Sequence, residues 1–184
     1  RIYILNLPKN SKDIFGDICG GGNSRNIGMM LTCSKYIAFL DDDDFFMPNK
    51  IEKQIEAMKN TNCSISCTEA YYGHGIYNNN MIYKNWHYEG FYWDELINIF
   101  KNKTELLNNM YKQEINIWDE KEINFHNCTC GGSSILIERN LIDKAGYFPL
   151  MKYGEDWVYW EKLIKYSKCV YIREPLVYID AQSK

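Results

Sequence analysis

An α/β domain on a mostly parallel central sheet is the fold this sequence predicts, and three observations predict it. The run Tyr36-Ile-Ala-Phe-Leu40 is continuously apolar, the mark of a strand buried on both faces of a parallel sheet. A helical pattern follows, opened by Pro48, with Ile51, Ile55 and Met58 recurring at i, i+4 and i+7. Ser64-Ile-Ser-Cys67 then reads as another strand, so the order is strand, helix, strand.

The remaining elements follow in order. Ile2-Tyr-Ile-Leu5 has the composition of a short buried strand. Residues 9–26 form a polar stretch holding Gly16, Gly20, Gly21 and Gly22, read as a loop, and 27–34 as a short helix. Residues 73–125 are less regular and crowded with aromatics, among them Trp86, Trp93 and Trp118, with one or two helices expected over 94–111. Ser133-Ser-Ile-Leu-Ile137 is strand-like, and a helix over 139–145 ends at Gly146. A helix over 156–166 carries Trp157, Trp160, Leu163 and Ile164 on one face, and Cys169-Val-Tyr-Ile172 is a final strand. The expected organisation is one domain over 1–184, with 73–125 as an irregular insertion.

Composition narrows the function. The chain has 184 residues, 46% hydrophobic and 24% charged, and its 15% aromatic content argues against disorder. A net charge of −3 argues against a nucleic-acid partner. No apolar run approaches the roughly 20 residues that span a bilayer. The 7 cysteines are odd in number and scattered, which fits reduced, buried thiols better than a disulfide framework or a zinc site.

Two acidic motifs carry the chemistry. Asp41-Asp-Asp-Asp44 begins where a buried strand ends, the place where open α/β sheets bind ligands. Adjacent carboxylates repel unless a positive charge sits among them, and a hard divalent cation meets that need. Residues i and i+2 of an extended segment point the same way, so Asp41 and Asp43 can face one ligand together. Glu155-Asp156 stands at a helix start. Such a carboxylate serves either as a cap or, held ionised by the helix dipole, as a general base for a hydroxyl. The residues alone leave both roles open.

In order and spacing, Gly22-Asn-Ser-Arg-Asn-Ile-Gly28, Tyr36-Ile-Ala-Phe-Leu-Asp-Asp-Asp-Asp44 and Pro48-Asn-Lys-Ile-Glu-Lys-Gln54 resemble the middle of a family-two glycosyltransferase. Gly131-Gly-Ser-Ser134, Gly146-Tyr-Phe148 and Gly154-Glu-Asp-Trp157 resemble the same family's second half. The resemblance implies a GT-A, Rossmann-like fold with a mixed, mostly parallel sheet. It implies inverting transfer of a sugar from a nucleotide-sugar, expected to be a UDP-sugar, to a glycan, protein or lipid hydroxyl, with Mn²⁺ or Mg²⁺. By that resemblance Asp41, Asp43 and Asp44 are the metal candidates. Arg25, Asn26, Asp41, Asp42, Gly131 and Gly132 are the donor-binding candidates. Asp156 is the expected base, Glu155 its helper, and Trp157 and Trp93 are acceptor candidates. Core packing is the competing reading for both tryptophans.

Departures from the family accompany the match. Its members begin with a strand, helix and strand ahead of this point; the chain opens on Arg1 without them, which reads as a piece of something longer. Many members place a His or basic residue after the final strand, whereas Val177-Tyr-Ile-Asp-Ala-Gln-Ser183 has none. The alternatives are a non-catalytic glycan- or nucleotide-binding relative of the same fold and a sugar nucleotidyltransferase. A cytoplasmic location is expected, with peripheral membrane association left open.

Overall fold

The computed structural model describes residues 4–16, 21–85, 92–103 and 116–181. Helices α1 (Ser11–Phe15) and α2 (Gly22–Leu31) lead into strand β1 (Tyr36–Ala38). β2 (Phe45–Phe46), α3 (Lys50–Thr61), β3 (Ile65–Gly73), β4 (Lys84–Asn85) and α4 (Tyr92–Phe100) follow. Then come β5 (Asn116–Trp118), α5 (Glu120–Phe125), β6 (Leu136–Glu138), α6 (Asn140–Ala145), α7 (Glu155–Ile164) and β7 (Cys169–Asp180). Among the described residues no helix is long and apolar enough to cross a membrane.

The strands form one sheet in the order β1-β6-β3-β7-β2, with β4 on β3 and β5 on β7. Its strand directions correct the expected architecture. Among the described residues only β3 and β7 pair in parallel, and every other pairing is antiparallel. The chain therefore forms a mixed, mostly antiparallel sheet rather than a Rossmann-like GT-A sheet of mostly parallel strands. The reason is β6. It inserts between β1 and β3 and runs antiparallel to both, separating the two strands that the strand–helix–strand order puts side by side. On β1, Ile37 and Phe39 are buried in the main core, Tyr36 and Ala38 are half-buried against a smaller cluster of Met58, Cys63, Leu136 and Val170 on the other face, and Leu40 is exposed.

Other expectations meet the structure unevenly. Ile4 and Leu5 are exposed coil rather than strand, and residues 1–3 lie outside the described residues. So do Cys19, Gly20, Trp86 and the expected helix over 94–111 beyond residue 103. The stretch read as a loop over 9–26 holds α1 and the first turn of α2. Cys63, Cys67, Cys128, Cys130 and Cys169 are buried free thiols and pack as small apolar groups, while Cys33 is exposed.

The core lies between the sheet and helices α4 and α7, around Leu96, Phe100, Trp118, Tyr159 and Leu163. One buried carboxylate fixes α4. Glu69 accepts from the backbone N–H groups of Tyr92 and Trp93 at 3.1 and 2.9 Å, and from the Tyr171 hydroxyl. It thereby satisfies donors at the start of that helix. Burial pushes the Glu69 carboxyl up, against the opposing pull of these hydrogen bonds. Trp93, an acceptor candidate, is consequently held in the core. It is 3% exposed, with Trp118 and Tyr171 ring centroids at 5.1 and 5.2 Å.

Lys50 opens α3 and is 1% exposed. Its Nζ donates to Gln54 Oε1 at 2.7 Å and lies 4.2 Å from the Phe46 ring centroid. Gln54 Nε2 donates onward to the Ser134 and Ser66 carbonyls at 2.9 and 3.3 Å, tying α3 to the sheet and to the 131–134 turn. Burial lowers the Lys50 pKa from 10.5 to about 7. Across that window the unfolded chain keeps a proton that the folded chain has released, so this group makes stability rise with pH. The cost of burying its charge is fully present below the folded pKa. Denaturation of wild type and Lys50→Met at stepped pH should show wild type gaining on the variant from pH 7 to 10, by up to about 1.4 kcal/mol per pH unit. A pH-independent difference contradicts the buried amine.

Candidate active site

The acidic run occupies the turn after β1. Its closing bond runs from the Asp44 N–H to the Asp41 carbonyl at 3.2 Å. The Asp41 N–H donates to Ser133 Oγ at 3.0 Å, which pins this turn to the 131–134 segment. There Gly131 has φ +101°, a conformation that favours glycine, and Ser134 donates from Oγ to the Gly131 carbonyl at 2.8 Å. At the other side the Asp180 N–H donates to Asp44 Oδ1 at 3.1 Å, linking the turn to the end of β7. Burial pushes the Asp44 carboxyl up. Hydrogen bonds from Ser133 and Asp180 work against that, Asp41 and Asp43 add to it, and the net direction is upward.

A positive charge sits beside this cluster on α2. Arg25 Nη2 donates to Asp41 Oδ1 at 2.7 Å, and Nη1 donates to Glu155 Oε1 at 3.2 Å. One guanidinium thus joins carboxylates that lie 16 and 130 residues away along the chain. Burial works to lower the Arg25 pKa. Asp41, then Glu155 and Asp156, outweigh it and the pKa rises. Glycine makes the room: a Cβ at Gly21 would stand 3.0 Å from Nη1, tighter than ordinary packing.

Asn26, a donor-binding candidate, bonds the backbone of Phe148. Its Nδ2 donates to the Phe148 carbonyl at 3.0 Å and its Oδ1 accepts the Phe148 N–H at 2.8 Å. The side chain is spent on one backbone residue and is 8% exposed. Phe148 packs in turn on Tyr159 of α7, its ring tilted by 30° at 4.1 Å between centroids, and meets Phe39 edge-on at 5.4 Å. Asn26 therefore sets α2 against α7 and aims Arg25, one residue earlier. The approach is close, since a Cβ at Gly22 would meet Phe148 Cβ at 3.1 Å and Glu155 Cγ at 3.2 Å.

Helix α7 begins after Gly154, at φ +75°, with Glu155 and Asp156 in its first turn. The side chain of Glu155 is 12% exposed and held by Arg25. Asp156 Oδ1 accepts the Trp157 N–H at 2.8 Å, and its charge acts on Arg25. Trp157 is half-buried and donates from Nε1 to the Ile123 carbonyl at 3.3 Å, so it packs α7 on α5.

An open cleft of about 930 Å³ lies between α2 and β1, and Arg25, Asp41, Asp42 and Asp43 all line it. Gly132 borders the Arg25 guanidinium, where a Cβ would stand 3.5 Å from Nη2. Asp44, Gly131, Asp156 and Trp157 are not among the residues of that wall. Among the described residues no three His, Cys, Asp or Glu side chains are grouped to hold a metal ion. Magnesium commonly needs only one or two carboxylates, the rest of its shell being phosphate oxygens and water, and Asp41 and Asp43 on the cleft wall fit that demand. Ser133 and Asp180, which hold the acidic turn, were not singled out in the sequence. Ser133 lies inside a recognisable Gly-Gly-Ser-Ser run, whereas nothing local marks Asp180.

Residues 8–137 match the family model described as glycosyl transferase family 2, and the chain belongs to that family. Over 49 residues it is 45% identical to an uncharacterized glycosyltransferase of Rickettsia bellii, covering 27% of this chain and 7% of that protein. Over 63 residues it is 38% identical to WfgD of Escherichia coli, a UDP-Glc:alpha-D-GlcNAc-diphosphoundecaprenol beta-1,3-glucosyltransferase, covering 34% of this chain and 23% of that one. Among solved structures, residues 1–349 of S. aureus TarS superpose with a TM-score of 0.57 at 14% identity, covering 89% of this chain and 41% of that chain. TarS in complex with UDP-GlcNAc gives the same TM-score over 88% and 39%. At that identity the likeness is one of fold. The chain thus spans about two fifths of TarS 1–349 and a quarter of the longer TarS chain, and the matched segments span under a quarter of these two curated relatives.

Proposed function

We propose that this chain transfers a sugar, with inversion, from a nucleotide-sugar to a hydroxyl of a glycan, protein or lipid acceptor. The observation that carries the proposal is the Arg25 bridge, which gathers Asp41 and the Glu155-Asp156 pair around one charge. UDP is the favoured carrier, because WfgD is named for UDP-Glc and TarS was solved with UDP-GlcNAc. Use of such a donor fits a cytoplasmic reaction.

In this reading the donor diphosphate enters the cleft beside Arg25, Asp41, Asp42 and Asp43. Bound at Asp43 and Asp41, Mn²⁺ or Mg²⁺ supplies neutralisation of the charge that develops on the departing diphosphate. Arg25 contributes fixed positive charge to the same region. Gly131 and Gly132 are kept as donor-side candidates, Gly132 because it borders the Arg25 guanidinium. Glu155, anchored by Arg25, fixes the start of α7. Asp156 then takes the proton of the acceptor hydroxyl as its oxygen bonds to the anomeric carbon. The bond from that carbon to the diphosphate oxygen breaks on the opposite side, which inverts the centre. Asp44, tied down by Ser133 and Asp180, is kept as a supporting metal candidate.

Titration of UDP-glucose and UDP-GlcNAc with and without Mn²⁺, followed by thermal shift, tests the donor half of this proposal. Wild type should be stabilised by a donor in a cation-dependent way. Asp43→Ala should lose that dependence and bind donor about tenfold more weakly or worse. Equal donor affinity in both proteins, with and without cation, would refute the role of Asp43.

A further inference from the structure

We propose that Phe45, backed by Tyr77, Tyr83 and Tyr178, forms a stacking subsite for a sugar ring of the acceptor. The inference rests on the sugar-transfer reading above and goes beyond it by assigning residues that the acidic motifs do not include.

Phe45 lies directly after the acidic turn and pairs across the β2–β7 ladder with Tyr178. Its ring stacks on Tyr77, with centroids 4.6 Å apart and planes within 14°. Tyr83 stacks on Tyr77 at 5.5 Å and meets Tyr178 at 4.7 Å. The cluster is anchored by hydrogen bonds. Tyr178 donates its hydroxyl to the Gly75 carbonyl at 2.6 Å, and the Tyr83 hydroxyl accepts the Asn78 N–H at 2.7 Å. Gly73 makes the packing possible, since a Cβ there would fall 2.7 Å from the Tyr178 ring. The Gly75 N–H donates to Asp180 Oδ1 at 2.9 Å, and the Asp180 N–H reaches Asp44. A continuous chain of bonds thus joins this platform to the acidic turn.

Core packing does not account for Phe45. One face lies on Tyr77, yet 44% of the residue is exposed. Phe45 lines an open cavity of about 480 Å³ together with Ile76, Tyr77, Asn78 and Asn79. A flat apolar ring rimmed by carboxamides matches a pyranose, which presents a C–H face and a hydroxyl edge. Position agrees with chemistry. Asp41, Asp42 and Asp43 line the large cleft and Phe45, two residues further on, lines this second cavity, so both adjoin the acidic turn. A donor in the first and an acceptor ring in the second would meet there.

Saturation-transfer NMR on the chain, with the methyl β-glycosides of glucose, galactose and N-acetylglucosamine as probes, tests the assignment. At least one glycoside should bind wild type, with saturation on its ring C–H protons. Phe45→Ala and Phe45→Leu should each weaken that binding about fivefold or more, while Phe45→Trp retains it. Phe45→Leu keeps apolar volume, so its loss reports the flat ring rather than a folding defect. The donor-induced thermal shift should be the same in all four proteins. Absence of binding by every glycoside up to about 50 mM, or binding indifferent to Phe45→Leu, overturns the subsite. A wild type without any donor shift instead overturns the sugar-transfer reading, so the two failures are told apart.

Discussion

Asp156→Asn should fold, bind nucleotide-sugar as wild type does, and transfer sugar about 10²–10⁴-fold more slowly, the range a positioned base contributes. The substitution keeps the shape and the acceptor oxygen that receives the Trp157 N–H at 2.8 Å, so the start of α7 stays closed. It removes the group that takes the proton. The Arg25 bridge uses Glu155 and Asp41, so it remains in place. The split is diagnostic: circular dichroism and donor-induced thermal shift stay at wild-type values while kcat falls. Were Asp156 only a helix cap, the isosteric amide would cap as well and kcat would not change. Wild-type turnover in this variant removes Asp156 from the mechanism.

Arg25→Met should damage both stability and activity. The guanidinium is mostly enclosed, at 17% exposure, and carries bonds to two carboxylates. Its loss leaves Glu155 at 12% exposure without its cation. Full burial would make this a cost of several kcal/mol, but Asp41 is 37% exposed and water screens it, so about 1–3 kcal/mol is the expected loss of stability. Donor turnover should fall about 10–100-fold, the equivalent of one lost charge-assisted hydrogen bond. Arg25→Lys restores charge but not the two-armed geometry, so it should recover stability more than turnover. Denaturant titration and steady-state kinetics on the two variants measure both. Equal turnover in wild type and Arg25→Met would show that the bridge has no catalytic consequence.

The residues that the fold gathers into the candidate site were legible in the sequence where a motif combined with a position. Four aspartates at the end of an apolar run, and Glu-Asp before an aromatic helix face, mark both acidic parts of the site. Gly146 ends α6 with φ +76°, as its place after an apolar helical stretch predicts. Long-range decisions were not legible. Nothing local says that 136–138 inserts between β1 and β3, and that insertion makes the sheet mostly antiparallel. The sequence marks β7 as a strand only over Cys169–Ile172, and its apolar run stops at Arg173, Glu174 and Pro175. The strand continues to Asp180, and β7 itself carries the irregularity as extra residues opposite Thr68, Glu69 and Ala70 of β3. The glycines before Asn23 likewise hid the start of α2, which tertiary packing against Phe148 requires to be close. At Asn26, only the folded chain reveals that the amide bonds the Phe148 backbone.

Release of nucleoside diphosphate from a panel of nucleotide-sugars, UDP-glucose and UDP-GlcNAc first, is the most direct test that these gathered carboxylates form a sugar-transfer site. The chain is assayed with Mn²⁺ or Mg²⁺, with chelator, and beside Asp156→Asn. Cation-dependent release from at least one donor, lost with chelator and reduced about 10²–10⁴-fold in Asp156→Asn, is the expected result. Folded wild-type chain that releases no diphosphate from any donor, or releases it equally with Asp156→Asn, contradicts the account.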